Sequence, residues 1–269
     1  RERRLEQLQS PLFRAGMIFY FVVIFCFIGG PLLSIPVESF LFKPSRAGPP
    51  EFSLRYWTGI ADSVLPSLGR SVGLAVLSAS LSCGFGILAA GGLRNIGKET
   101  PGSARIIRFC MASPLVSSGI VLGLGWLRLY GRENARNIWA AALVHGLTAL
   151  PFVFNSLSRG LDSLDDTALK AAEIAGAGPM LRIITVAIPC AFQRLRSAWG
   201  IAAALSLGEL NAVMMLGIEN WETLPLLIYR AAGSYRYGVA CAAGSALILC
   251  CGAVFGISEF RFPRKKHIP

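Results

Sequence analysis

The sequence predicts an all-α integral membrane protein with about six transmembrane helices. Three observations carry this: the apolar composition, the length of the uncharged stretches and the placement of the basic residues. Of 269 residues, 54% are hydrophobic and only 15% charged, with a mean hydropathy of +0.56, too apolar for an ordinary soluble domain of this length. A bilayer core about 30 Å thick needs roughly 20 apolar helical residues. Stretches near 15–36, 69–92, 106–127, 138–157, 198–217 and 238–257 meet that need, more than one signal peptide could account for. Backbone groups in lipid must find partners within the chain, so these spans are predicted as helices.

The net charge of +11 does not point to nucleic acid, which requires a basic face on a soluble fold. Here the Lys and Arg lie between apolar stretches and act as topology signals. With a cytoplasmic N-terminus, the inside segments are 1–14, 93–108, 159–196 and 261–269, and they hold 17 of the 26 Lys and Arg. The expected organisation is a cytoplasmic segment 1–14, a transmembrane domain 15–257 and a basic cytoplasmic tail 258–269. The chain opens on Arg1 in RERRLEQLQ, which leaves open whether it is part of a longer polypeptide.

The first span ends in GGPLLSIP, where Pro31 and Pro36 predict a kink or an early stop. The polar, Pro-rich stretch from Glu38 to Pro66 reads as an external loop with a short interfacial helix around Leu54 to Ile60. Its Tyr56 and Trp57 are read as interfacial aromatics rather than partner contacts. Gly119 with Gly123, and Gly252 with Gly256, have the spacing that permits close helix packing. Cys26, Cys83, Cys110, Cys190, Cys241, Cys250 and Cys251 lie in or beside apolar runs without metal-ligand spacing, and are expected to be buried small hydrophobes. The sequence lacks GxxxxGK[ST], GxSxG and HExxH, so neither a nucleotide site nor a hydrolase or metalloprotease site is encoded.

The loop 159–189 between the fourth and fifth spans carries built structure. Ser163 and Asp166 have capping-box spacing, acidic residues crowd the first turn and Gly176 supplies a left-handed stop after Ala175. A helix from about Leu164 to Ala175 follows. Gly178 and Pro179 suit the start of a second short helix ending before Pro189. The first helix presents Ala168, Ala171, Ala172 and Ala175. That face suits either a partner's cleft or the surface of the chain's own membrane domain.

The string KAAEIAGAGPMLRIITVAIP resembles the cytoplasmic signature of binding-protein-dependent ABC importer permeases: EAA, three residues, Gly, then about a dozen residues to a Pro. Ala171, Ala172, Gly176 and Pro189 fall on it. The resemblance implies the type I importer permease fold, and it implies that the helix is a coupling helix seated in an ATPase subunit. Asp165, Asp166, Lys170, Ala171, Ala172, Glu173, Gly176, Ala177 and Pro189 then form the ATPase-coupling surface. Lys170 stands where the family has an acid, reversing a charge at the expected contact.

The similarity runs over roughly residues 67–257, including HGLTALPFVFNSLSRGLDSLDD and AWGIAAALSLGELNAVMMLG. WETLPLLIYRAAGSYRYGVACAAGSAL resembles the thiamine and iron(III) branch, with TLPLLIY and GSYR nearer the thiamine members. Members of that branch often join two six-helix halves in one polypeptide, and the chain would match a C-terminal half. The implied function is import of a small solute, thiamine first and iron(III) or another solute as the alternative. The implied location is the bacterial inner membrane. No cofactor is expected on this chain. ATP belongs to a partner ATPase dimer, and an extracytoplasmic binding protein and a second permease half complete the expected partners. The opposing class is a stand-alone secondary transporter or channel, which normally needs repeated halves and its own ion-coupling groups. An intramembrane enzyme is a third class, against which the absence of a nucleophile and base on adjacent spans counts.

A charge at the bilayer centre costs about 2.5–3.5 kcal/mol on insertion scales, so Glu209 in SLGELN, with Asn211 two residues on, is the candidate substrate-path acid. Its other reading is an interhelical bond or gate contact. His145 is expected to be an interhelical hydrogen-bond partner, and Trp126 and Arg128 to anchor the outer end of the third span.

Overall fold

The computed structural model describes residues 11–42, 49–96, 100–163 and 166–259. Residues 1–10 of the expected N-terminal segment and 260–269 of the expected tail lie outside them. The chain divides into two compact units, Arg1–Asp62 with Ile228–Ser245, and Ser63–Leu227 with Ala246–Pro269.

In the first unit, helix α1 (Pro11–Ser39) is continuous through Pro31 and Pro36, so of the kink or early stop expected there the stop does not occur. A proline removes one helical hydrogen bond, and flanking turns in a membrane helix can carry the chain past it. Ser34 and Ser39 reinforce those turns by donating to the carbonyls of Pro31 (2.8 Å) and Pro36 (2.6 Å). The loop beyond is a small antiparallel pair, β1 (Leu41–Phe42) and β2 (Glu51–Phe52), with Leu41 opposite Phe52. Phe40 stacks on Phe52 and on Trp57, each at 5.7 Å, and Trp57 Nε1 donates to Ser39 Oγ at 3.3 Å. Trp57 therefore fastens the pair to the end of α1. Tyr56 packs against Gly238, where a Cβ could not fit.

Helix α2 (Arg55–Ile96) is 42 residues long. The interfacial helix expected at 54–60 is its first two turns, because Gly59 and Gly69 keep helical backbone with no left-handed residue to end it, and Pro66 alone does not stop it. Helix α10 (Leu224–Gly233) ends in a Schellman arrangement in which Arg236 N–H donates to Ala231 O and Tyr235 N–H to Ala232 O. The left-handed position falls on Tyr235, with φ 58°.

The second unit holds most of the core. After α2 come α3 (Pro101–Ala112), a 3₁₀ turn (Ser113–Val116) and α4 (Gly119–Ala135). The third span was expected to run unbroken over 106–127, but α3 and α4 meet at 105°. Ser117 and Ser118 are both extended, and Ser118 caps α4 by accepting from Val121 N–H. Helix α5 (Ile138–Asp162) is capped by Asn137, whose side chain accepts from Ala140 N–H at 2.9 Å. Short helices α6 (Asp166–Ile174) and α7 (Pro179–Arg182) lead through a π-helical turn (Ile183–Ala187) into α8 (Ile188–Gly208). Helices α9 (Asn211–Leu216) and, after α10, α11 (Tyr237–Glu259) follow. Among the described residues four helices are long and apolar enough to cross a membrane, or five if the bent α3–α4 pair is one span. Helix α8, the expected fifth span, begins earlier and ends at Gly208 rather than 217, and it carries Gln193, Arg194 and Arg196 in its first half.

Small residues let these helices approach. Gly146 of α5 lies against the backbone of Ser78 on α2, and Gly86 of α2 faces Val153 of α5. Ala149, Val153, Leu157, Ala198, Ala202 and Leu207 are all at most 2% exposed, so the α5–α8 contact is largely alanine and leucine. Gly119 and Gly123 of α4 face Glu209 and Met215, as their spacing suggested, whereas Gly252 and Gly256 meet nothing within 4 Å. The expectation of buried cysteines is corrected: Cys83 is buried, Cys26, Cys110 and Cys190 are exposed, and the other three are half-buried.

Gly200 of α8 is packed so closely against the side chain of Ser258 that a methyl group has no room. Gly200→Ala is expected to cost about 1–3 kcal/mol by overpacking, and Ser258→Gly in the same chain to restore part of it. Thermal unfolding in detergent measures both, and an unchanged midpoint in the single variant would refute the contact.

Candidate coupling surface and path residues

Helix α6 is nine residues long and lacks the propensity to stand alone, so its ends and neighbours matter. It is described from Asp166 on, and Leu164 and Asp165 of the expected start lie outside the described residues. At the other end the chain makes a full Schellman motif: Gly176 N–H donates to Glu173 O, and Ala177 N–H to Ala172 O at 3.0 Å. Gly176 sits at φ 83°, a conformation that costs other residues roughly 1 kcal/mol or more.

Gly178 then opens the next turn, its carbonyl accepting from Arg182 N–H, and Arg182 reaches back to Glu173 across 2.7 Å. This bridge closes α6 onto α7, and it is the use of Glu173 that sequence could not reveal. The expected end of the second helix before Pro189 does not occur. Pro189 lies in the first turn of α8, and the π-helical turn preceding it, where Ile188 N–H bonds five residues back to Ile183 O, fits a proline into a continuing helix.

The segment is anchored underneath and bare on top. Ile183 packs on Gly91 of α2, Arg194 of α8 packs on Gly160 of α5, and Arg94 of α2 donates to the carbonyl of Leu161. Of the small face, Ala168, Ala171 and Ala175 are exposed and Ala172 half-buried, with Lys170 exposed beside them. Ile174 is 88% exposed, and Met180, Leu181 and Ile184 are each more than half exposed. The exposed alanines and these four bare apolar side chains form one uncovered apolar surface.

Glu209 lies at the break between α8 and α9, in extended conformation. Its Oε1 accepts from the N–H groups of Asn211 (2.9 Å) and Ala212 (3.4 Å) and lies beside Gly119, the first residue of α4. The carboxylate thus caps α9 and neighbours a second helix N-terminus, where the helix dipoles favour negative charge. Asn211 supplies a backbone donor to that cap. His145 is fully buried, and its Nδ1 is 2.9 Å from Ser206 Oγ of α8, the interhelical bond expected of it. Its Nε2 has no hydrogen-bond partner. Trp126 stacks near Tyr130, 4.5 Å between centroids, and Arg128 is exposed.

The second unit is thus built of apolar helices with interrupted backbones and carries the bare α6 segment. Residues 82–266 match the model of the family described as binding-protein-dependent transport system inner membrane component, and the chain belongs to that family. It is therefore a multi-pass permease component of an importer and not an enzyme. It is 28% identical over 218 residues to the permease protein PhnV of Salmonella typhimurium, assigned to 2-aminoethylphosphonate transport, covering 77% of this chain and 78% of that one. It is 26% identical to the putrescine permease PotI of Escherichia coli, covering 88% of this chain and 85% of PotI. The thiamine permease ThiP of Haemophilus influenzae is 28% identical, over 70% of this chain but 36% of its own length. A permease from the crystal structure of a bacterial alginate ABC transporter shares the fold with TM-score 0.68 over 96% of this chain and 97% of that chain, at 13% identity.

If the carboxylate of Glu209 serves chiefly as a helix cap, Glu209→Gln, which keeps an acceptor, will hold stability and transport. Glu209→Ala is then expected to cost about 1–2 kcal/mol. Loss of uptake in the Gln variant with stability unchanged would instead assign the charge itself to the path.

Proposed function

We propose that this permease is driven by a partner ATPase whose cleft receives α6, with Gly176 setting the angle between α6 and the helical rod that begins at Pro179. The observation that carries this reading is the bare Ala168, Ala171 and Ala175 face beside exposed Ile174, closed by the Schellman turn. Closure of the ATPase would push on α6 and α7, and the continuous helix from α7 through the π-turn into α8 would carry the displacement to the Glu209 break. Lys170 calls for a matched acidic group on that partner. The loop then faces the cytoplasm, as do both termini, in keeping with the distribution of Lys and Arg.

The cargo is a small solute bearing a charged nitrogen, delivered by an extracytoplasmic binding protein. 2-Aminoethylphosphonate, putrescine and thiamine, the cargoes named for the relatives, all carry such a nitrogen, and the TLPLLIY and GSYR strings favour thiamine among them. A second permease half, in the same polypeptide or another, completes the pathway.

Two measurements test this. The detergent-solubilised gene product should recover an ATPase, and its hydrolysis should rise with binding protein loaded with thiamine, putrescine or 2-aminoethylphosphonate; failure to recover any ATPase would favour a stand-alone transporter. Gly176→Val should leave membrane insertion intact and abolish ATP-dependent uptake, since a β-branched residue resists the left-handed turn. Full uptake in that variant would remove α6 from the coupling role.

A further inference from the structure

Between α3 and α5, at the end of the molecule that bears α6, lies a cavity of about 320 Å³, a volume at the lower end for ligand sites. Its polar wall is formed by Arg108 of α3 and by Asn155, Ser158 and Arg159 of α5. Neither guanidinium makes an ion pair or a side-chain hydrogen bond among the described residues, in contrast to Arg94, Arg136 and Arg182 of the same unit. Ser158 Oγ is shut off from solvent with no hydrogen-bond partner, although buried hydroxyls ordinarily find one. The rest of the lining is apolar, with Met111 of α3 and buried Phe154 of α5 among it. Asp162, one turn beyond Ser158, sits at the rim and offsets one of the two positive charges.

Two uncommitted guanidiniums and a set of apolar side chains line a single concave space. Guanidiniums bind phosphate oxygens in bidentate fashion, and basic pockets between transmembrane helices on the cytoplasmic side receive anionic headgroups. We infer that this cavity binds a phosphate-bearing anion, supplied by the headgroup of an anionic phospholipid. The phosphodiester lies between Arg108 and Arg159, while the glycerol and the start of the acyl chains lie on Met111 and Phe154. The leaflet, though not the cavity, rests on the orientation proposed above. A lipid seated there would touch α5 one turn before the chain leaves for α6, and would stiffen the base of the coupling segment.

The test uses the full polypeptide, purified in nonionic detergent with its partners, so that both faces are accessible. Phosphatidylglycerol, phosphatidylcholine, inorganic phosphate and glycerol 3-phosphate are titrated while the unfolding temperature is followed. Phosphatidylglycerol should raise it saturably and phosphatidylcholine should not. Arg108→Gln with Arg159→Gln should weaken the apparent affinity about tenfold, whereas Asp162→Asn should strengthen it, a direction that general damage does not produce. An equal response in wild type and the double variant overturns the site. A response to the soluble phosphates without one to phosphatidylglycerol keeps the anion site and overturns lipid as its source. Should the double variant not fold, an unchanged affinity in Asp162→Asn overturns the proposal on its own. ATPase stimulation by loaded binding protein, read in the same preparations, reports separately on the coupling reading.

Discussion

A backbone amide in hydrocarbon has no water to bond, and the breaks in this chain follow from that constraint. Where α3 gives way to α4, the hydroxyl of Ser118 takes up a freed N–H. Where α8 gives way to α9, the carboxylate of Glu209 takes up two. Where Pro189 withholds a donor, the helix widens to a π-turn and continues. Each interruption is placed at a residue able to serve the exposed groups, so the irregular backbone is stable only at those positions. An interrupted helix that is locally satisfied can still bend, which a transporter needs and an uninterrupted one resists.

Close approach is the second requirement, and glycine and alanine meet it. Without a hydrophobic driving force between helices in lipid, contact area depends on backbones coming near one another. Gly86 and Gly146 bring α2 and α5 together, Gly119 and Gly123 bring α4 to α9, and alanines floor the contact of α5 with α8. Buried polar groups also join helices of this core: His145 of α5 bonds Ser206 of α8, and Ser71 of α2 accepts from the N–H of Leu224 at the start of α10.

Much of this was legible in the sequence because composition and spacing are properties of consecutive residues. The apolar runs located the helices, and Gly176 followed by Ala177 announced its own turn, since a left-handed stop is a local requirement. Pro31, Pro36 and Pro189 misled because the cost of a missing donor depends on the turns around it, and those turns proved able to absorb the loss. The bend at Ser117 and Ser118 was hidden for the opposite reason: two serines in an apolar stretch are compatible with a helix, and only the packing of α4 selects the extended form. The Glu173–Arg182 bridge and the pair Arg108 with Arg159 join residues nine and fifty-one apart in sequence, and no periodicity reports such meetings.

The π-turn at Ile183–Ala187 has a further consequence, for how such a chain can change length. A π-turn holds one residue more than an α-turn of the same rise, and each residue in an α-helix accounts for about 100° of rotation. Deleting a single residue between 183 and 187 would convert the π-turn to an α-turn and leave α6 on nearly the same bearing, whereas a deletion in the regular helix that follows would swing everything before it through roughly a quarter-turn. The π-turn thus changes a length without changing a phase. It lets the stretch from Gly176 to Pro189 hold one residue more than a regular helix would while α6 keeps its compass bearing about the rod it is mounted on.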